Sequence, residues 1–306
     1  MKTRIAEIIR EHRSFEIITH ESPDEDAVGS SKALAFAIVS MGKYVCLVYP
    51  TPVPETLSFT DSPEENLIDT PEISILVDVS DMLMLKKVKP RGKVVVIDHH
   101  RAKGDIGYAS WIDSKRSSTC EMIYELLAEL KVALTPSIAS NLYLGLFGDT
   151  GGFIHANTNA YIFQIAHELT NAGADPHNIA YRLKKTKALS FYRILCAVMD
   201  RMIMQEGLFA SYISFEEMKK YGARPEDASG IVEEMASLSG SNLVILLKEL
   251  QKGTVHCSIR SKIPDAALKT ASAFGGGGHG LAAGFTAEGT PEELIHRVIK
   301  EGFKWI

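Results

Sequence analysis

Cysteine is scarce in this chain and poorly placed for the work it usually does. There are four cysteines in 306 residues, Cys46, Cys120, Cys196 and Cys257. They are scattered and form no CxxC pair, which argues against a zinc ribbon or a disulfide framework. An excess of positive charge is missing too. The net charge of −5 speaks against a protein that coats long nucleic acid, which needs a basic footprint. Small anionic substrates remain open, because a local cluster or a bound cation can supply positive charge. No apolar run approaches membrane-spanning length, and the opening MKTRIAEIIREH is amphipathic without the apolar core of a signal peptide. These absences make a cytoplasmic enzyme without membrane contact the expectation. The remainder is ordinary: 45% hydrophobic and 23% charged residues describe a globular protein long enough for two modest cores.

The chain reads as alternating elements. FEIITH (15–20), YVCLVY (44–49), ISILVDV (73–79) and KVVVID (93–98) are strands rich in β-branched residues without polar alternation, the mark of parallel strands buried on both faces. AVGSSKALAFAIVSMG (27–42), STCEMIYELLAEL (118–130) and SIASNLYLGLFGD (137–149) are helices. The rhythm predicts an α/β, doubly wound parallel sheet in the N-terminal part. Residues 187–205 read as one long helix. Beyond it LFASYIS, LVILLKEL and TVHCSIR are strands of a smaller α+β domain closed by a helix near 291–302. The expected division is a catalytic domain over 1–185, a connector helix over 186–205 and a second domain over 206–306.

One stretch carries unusual charge. Between the first strand and the following helix lie His20, Glu21, Asp24, Glu25 and Asp26. Like charges this close repel one another, and burying them is expensive. In an open α/β sheet, ligands bind beyond the carboxyl ends of the strands. His20 ends the first strand, Asp78 ends ISILVD, and Asp98-His99-His100 ends VVVID. Asp149 closes a helix in FGDTGGF. Each motif alone has a bland account: Asp-x-Asp is usually a solvated turn, Asp-His-His a cap beside a buried pair. Their conjunction at three strand ends is hard to obtain by accident. Carboxylates and neutral imidazoles packed together become favourable around divalent cations. His20, Asp24, Asp26, Asp78, His99 and Asp149 exceed what one closed site takes. Donors without thiolate suit Mn²⁺ better than structural zinc. The expected cofactor is two divalent ions, placed to activate water and clamp a phosphoryl oxygen.

In order and spacing, HxxxDxD (20–26), VDVSD (77–81), DHH (98–100) and GDTGG (148–152) resemble the DHH phosphoesterase family. SIRSK (258–262) and GGGGHGLAAGF (275–285) resemble the DHH-associated C-terminal domain of nanoRNases and 3′-phosphoadenosine 5′-phosphate phosphatases. The resemblance implies that His20, Asp24 and Asp78 hold one metal. Asp26, Asp78, His99 and Asp149 hold the other, with Asp78 as bridge. His100 would lie toward the substrate phosphate, and Asp98 would orient an imidazole. Two places depart from the usual pattern: Glu25 stands where glycine is common, and Gly280-Leu281 where basic and polar residues are usual.

The C-terminal motif has its own physics. Four consecutive glycines let backbone N–H groups approach an anion. His279 can donate to phosphate, Arg260 offers a planar fork, and Ser261 adds a hydroxyl. Arg260, Ser261, Gly276, Gly277, Gly278 and His279 are therefore expected to bind substrate. The metals would cut, and the second domain would hold the end of the nucleotide. His155, Arg116 and the RLKKTK run (182–187) carry little weight. The expected activity is hydrolysis of very short 5′-phosphorylated oligonucleotides to mononucleotides, with 3′-phosphoadenosine 5′-phosphate as a further substrate. The partners are then short single strands or nucleotide bisphosphates, not long duplexes, and a homodimer stays open. A phosphodiesterase for cyclic dinucleotides or their linear products is the alternative. A manganese pyrophosphatase is disfavoured by the glycine-His motif, and a dead sensor by the six filled ligand positions.

Overall fold

The computed structural model describes residues 1–100, 107–278 and 280–306. The chain divides into two compact units, Met1–Thr186 and Lys187–Ile306.

The first unit contains α1 (Lys2–Glu11), β1 (Ser14–Ile18), α2 (Glu25–Ser40), β2 (Tyr44–Val48), β3 (Ile73–Val77), β4 (Lys93–Asp98), β5 (Ala109–Ile112), α3 (Thr119–Leu130), α4 (Pro136–Asp149), α5 (Ala160–Asn171) and α6 (Pro176–Lys184). The five strands pair in the order β2-β1-β3-β4-β5, all parallel. Chain direction reverses its march between β1 and β3, and there an open parallel sheet presents a crevice at its carboxyl edge. Both faces are covered, which is why the strands lack polar alternation. Ile17, Ile75, Val77, Val95 and Ile97 enter the large core shared with α1 to α4. Ile18, Leu76 and Val96, one residue out of phase, join Val79 and Leu85 on the opposite face.

The second unit contains α7 (Leu189–Asp200), β6 (Ile203–Gln205), β7 (Leu208–Ile213), α8 (Phe215–Lys220), α9 (Ile231–Ala236), β8 (Leu243–Gln251), β9 (Thr254–Ser261), α10 (Ala266–Ser272), β10 (Gly277–Gly278), β11 (Ala282–Glu288) and α11 (Pro291–Gly302). Its mixed sheet runs β10-β11-β9-β8-β7-β6, and only β7 and β8 pair in parallel. Leu243, Ile245, Leu247, Cys257 and Ile259 pack under α10 and α11. Phe209, Ile213, Val244 and Leu246 pack under α7 and α9 on the other face.

The helix expected over 187–205 is shorter. It ends at Asp200, and 203–205 is a strand instead. The reason is local: Glu206 and Gly207 both take positive φ, 44° and 87°, and Gln205 pairs with Leu208. That is a two-residue hairpin turn of the hand that matches strand twist. The helix itself buries Phe191, Ile194 and Val198 in the second unit's own core.

Candidate metal centre

Each candidate ligand is held by the backbone around it. His20 lies just past β1 with Nδ1 2.7 Å from the Glu21 carbonyl. A proton on Nδ1, donated to that carbonyl, leaves Nε2 as the coordinating atom. Asp24 caps α2, its Oδ1 accepting from the amides of Asp26 at 3.1 Å and Ala27 at 3.0 Å. Asp26, two residues on in the first turn of the helix, is fully buried. Its oxygens accept from the amides of Thr119 at 2.6 Å and Cys120 at 2.9 Å. Those are the first amides of α3, whose cap is Ser118, so the positive end of a helix compensates a buried carboxylate.

Asp78 follows β3 with φ of 59°, a left-handed backbone that costs an L-residue about 1–2 kcal/mol. Such strain collects where a side chain must be aimed. The carboxylate is 1% exposed and its two oxygens serve different neighbours. Oδ2 lies 3.4 Å from His20 Nε2, whereas Oδ1 lies 3.7 Å from His99 Nε2 and 3.2 Å from His100 Nδ1. Oδ1 also accepts the Thr119 hydroxyl at 3.1 Å. His99, past β4, has Nδ1 3.4 Å from the Arg116 carbonyl. Its Nε2 lies 3.0 Å from Asp149 Oδ2 and 3.9 Å from Asp26 Oδ2.

Asp149 is the last residue of α4, and glycines decide where it stands. A Cβ on Gly145 would lie 2.3 Å from Cys120 Sγ and 2.7 Å from Asp26 Oδ1. One on Gly29 would lie 2.4 Å from the Asn141 carbonyl, and one on Gly148 2.5 Å from Glu25 Cβ. Helices α2 and α4 therefore meet at a distance that only glycine permits. This contact carries Asp149 toward His99.

The six candidate ligands, joined by His100, fall into overlapping groups whose ligand atoms lie within 4.8 Å of one another: His20-Asp24-Asp78, Asp26-His99-Asp149 and Asp78-His99-His100. Electrostatics marks them as unsatisfied on their own. Burial disfavours a charged His20, yet Asp24 and Asp78 outweigh it and push the imidazole up to about 10. His99 is likewise depressed by burial but lifted to about 9 by Asp149, Asp26 and Asp78. Burial opposes ionisation of Asp78, but His100 and His20 hold it far below the usual carboxylate range. Burial raises Asp149 to about 6 against the pull of His99. Burial and the charges of Asp149 and Asp78 raise Asp26 well above its ordinary value. His99 Nε2 is buried with no hydrogen-bond partner among the described residues, although Asp149 Oδ2 lies 3.0 Å away. An orphaned ring nitrogen ringed by carboxylates, with no thiolate in the set, fits a divalent cation.

Asp98 lies at the end of β4, fully buried. Its Oδ1 accepts from the His100 amide at 2.9 Å and lies 2.8 Å from His100 Nδ1. It thus fixes the second imidazole of the pair, whose ring stands 4.3 Å from that of His99. Burial lowers His100, and Asp78 with Asp98 outweighs it, pushing the ring up to about 11. Glu25, the added charge of the first loop, belongs to none of the three groups.

Sequence reasoning missed Thr119, the α3 amides and the α4 glycines. The available signals were the Ser-Ser-Thr cap at 117–119 and the small-residue spacing of GLFGD. Arg116 is an ion-pair hub, reaching Asp113 at 3.1 Å, Glu121 at 2.9 Å and Glu125 at 2.6 Å. His155 Nδ1 lies 3.1 Å from the Asp149 carbonyl, at an exposed position.

The other expected residues lie in the second unit. Arg260, on β9, is paired with Glu233 at 2.6 Å. Ser261 turns to the opposite face by strand alternation. Its hydroxyl is engaged by Ile263 N at 2.9 Å and Ile263 O at 2.8 Å. The glycine run forms structure rather than an open nest. Gly276 N bonds the Ala271 carbonyl at 3.0 Å past the end of α10, and Gly277 and Gly278 pair with Gly284 and Ala283 as an edge strand. His279 lies outside the described residues.

Known proteins complete the picture. Residues 14–146 match the DHH family, N-terminal domain, and residues 205–306 match the DHHA1 domain. A Bacillus subtilis protein named bifunctional oligoribonuclease and PAP phosphatase NrnA is 30% identical over 294 residues, 93% of this chain and 92% of that protein. A Thermus thermophilus protein of the same name is 29% identical over 290 residues, 93% of this chain and 87% of that protein. Among solved structures, an exopolyphosphatase-related protein from Bacteroides fragilis superposes with a TM-score of 0.92 at 24% identity, over 99% of this chain and 95% of that one. With both domain types in order and relatives matched along nearly its full length, the chain belongs to the DHH phosphoesterase family and is a hydrolase.

Proposed function

We propose that this chain hydrolyses very short 5′-phosphorylated oligonucleotides to mononucleotides, and 3′-phosphoadenosine 5′-phosphate to AMP. The observation that carries the reading is full-length similarity to two relatives named bifunctional oligoribonuclease and PAP phosphatase, joined to the carboxylate-imidazole groups at the sheet edge. Those names favour this activity over the cyclic-dinucleotide alternative.

In this reading His20, Asp24 and Asp78 Oδ2 would hold one divalent ion. Asp26, His99, Asp149 and Asp78 Oδ1 would hold a second, and Mn²⁺ suits the donor set. When bound, such ions supply Lewis acidity to phosphoryl oxygens and lower the pKa of water. The protein does the aiming. The amides of α3 fix Asp26, Thr119 fixes Asp78, and Glu21 and Arg116 carbonyls fix the rings of His20 and His99. We assign His100 to a phosphoryl oxygen, its ring oriented by Asp98. Arg260, Ser261, Gly276, Gly277, Gly278 and His279 are assigned to the phosphorylated end. Ser261 acts there only if its hydroxyl leaves Ile263.

The test offers purified protein with Mn²⁺ a 5′-phosphorylated dinucleotide, a long oligomer, 3′-phosphoadenosine 5′-phosphate, a cyclic dinucleotide and pyrophosphate in parallel. The first and third should turn over fastest. Preference for pyrophosphate or the cyclic compound would overturn the proposal.

A further inference from the structure

The face of the second sheet that carries Arg260 holds more than Arg260. Residues two apart on a strand share a face about 7 Å apart, so Ser258 lies beside Arg260 on β9 and His256 one step further along the same face. The register sets Lys248 of β8 across from His256. On the other side, Thr286, Gly284 and Ala282 of β11 stand opposite His256, Ser258 and Arg260, and Gly277 continues the row to the edge. The middle row is therefore Ser258-Gly284-Gly277, a floor nearly without side chains. The apolar cluster beneath α7 and α9 takes in Phe209, Val244 and Leu246 but no residue of β9 or β11. Polar groups line this part of the face.

Their partners differ. Arg260 already holds Glu233 at 2.6 Å. His256 Nδ1 sits 3.3 Å from the Thr286 hydroxyl. Lys248 is partly buried and makes no hydrogen bond and no ion pair among the described residues. Ser258, 8% exposed, likewise makes no side-chain hydrogen bond among them. A cation stripped of much of its water without an acceptor is uncompensated. Burial is the largest influence on it and depresses its pKa. Among the neighbouring charges Glu233 acts first and raises it, and Arg260 opposes that, but neither is bonded to the ammonium. Lys248 is thus left as the positive charge this face can offer an anion.

We propose that Lys248 is the specificity-determining cation for the terminal phosphate, acting beside Arg260 and the Ser258 hydroxyl. A terminal phosphomonoester carries about −1.5 to −2 at pH 7, whereas an internal diester carries one charge. An arginine already neutralised by Glu233 discriminates weakly between them. A second, unpaired cation favours the monoester. The inference rests on the reading of the second unit as the part that holds the phosphorylated end.

The experiment measures binding without turnover. Metal-free protein is titrated calorimetrically with a 5′-phosphorylated diadenylate and with its 5′-hydroxyl counterpart. Wild type should prefer the phosphorylated form. Lys248→Met should shrink that preference about ten- to a hundredfold, the range for a lost charge-assisted hydrogen bond, and Lys248→Arg should keep most of it. The thermal midpoint of Lys248→Met should not fall, because the lysine has no partner to lose, and Lys248→Gln supplies the same measurement if the methionine variant is unstable. An unchanged preference in the folded neutral variants would overturn the inference. Hydrolysis of the same diadenylate with Mn²⁺ is scored separately. Binding that depends on Lys248 without hydrolysis would refute the proposed function and leave this inference standing.

Discussion

Gly145 has no chemistry of its own, yet it should control the metal centre. Its hypothetical Cβ lies 2.3 Å from Cys120 Sγ, 2.7 Å from Asp26 Oδ1 and 2.9 Å from Asp26 Cα. In Gly145→Ala, α4 must withdraw by about 1 Å to reach ordinary contact, since overpacked cores respond by backbone shifts costing about 1–3 kcal/mol. For a unit of this size that lowers the thermal midpoint by about 2–12 °C. Asp149 stands one turn further along the same face of α4 and moves with it, away from His99 Nε2, now 3.0 Å distant. A displacement of about 1 Å at a catalytic group costs on the order of a hundredfold in rate. Gly145→Ala should therefore lose about a hundredfold in kcat while every ligand is still present. Adding Cys120→Ala removes the sulfur contact but not the one with Asp26 Oδ1, so stability should recover partly and activity little. Gly42→Ala is the control: φ is +72° and nothing lies within 4 Å, so it should cost some stability and no activity. Steady-state kinetics and thermal melts decide. A Gly145→Ala enzyme with wild-type kcat would refute the claim that the α2–α4 contact positions Asp149.

Asp78→Ala should abolish activity more completely than any other single ligand substitution, because Oδ1 and Oδ2 face different imidazoles; metal analysis should show loss of about two ions per chain, and one retained ion with full activity would contradict it. Metal binding should expel protons. In the metal-free protein the surrounding carboxylates push His20 up to about 10 and His99 up to about 9, so both rings are expected to hold a second proton at pH 7.5 and must lose it to coordinate. Calorimetry in buffers of different ionisation enthalpy should show release that shrinks above pH 9, and affinity that weakens on acidification. Because these values are raised above the unfolded one, the rings stabilise the metal-free fold fully below about pH 6.5, and that contribution disappears as pH rises through 9–10; denaturant melts at pH 7 and 10.5 measure it. Initial rate against oligonucleotide length at fixed Mn²⁺ and salt should peak at about two to five units, since a held terminus aligns only nearby bonds for attack; rates that climb steadily with length would count against end-holding.

What the sequence determined by itself is the set of candidate residues and the scaffold that carries them. Buried parallel strands are written locally, in β-branched runs such as those at 73–77 and 93–98, and a strand's carboxyl end is where the next polar residue must emerge. His20, Asp78 and His99 could therefore be named from order alone. β5, the four-residue ASWI at 109–112, was not legible, because a short strand is defined by its neighbour more than by its own residues. The hairpin at 206–207 was hidden for a related reason: KALSFYRILCAVMDRMIMQ keeps helical periodicity past Asp200, and only pairing with Leu208–Ala210 pulls 203–205 into the sheet.

Tertiary structure alone decided how the candidate ligands are aimed. The left-handed backbone at Asp78, the α3 amides on Asp26 and the glycine contact of α2 with α4 join residues distant along the chain. The same holds in the second unit. The SIRSK motif put Arg260 and Ser261 together in the expected phosphate site, but strand alternation separates their side chains. Register brings Lys248 to the face of Arg260 instead. Residue type sets which donors exist, because that is local chemistry. Their convergence depends on close packing between elements far apart in sequence, where a single methyl group at Gly145 is too much.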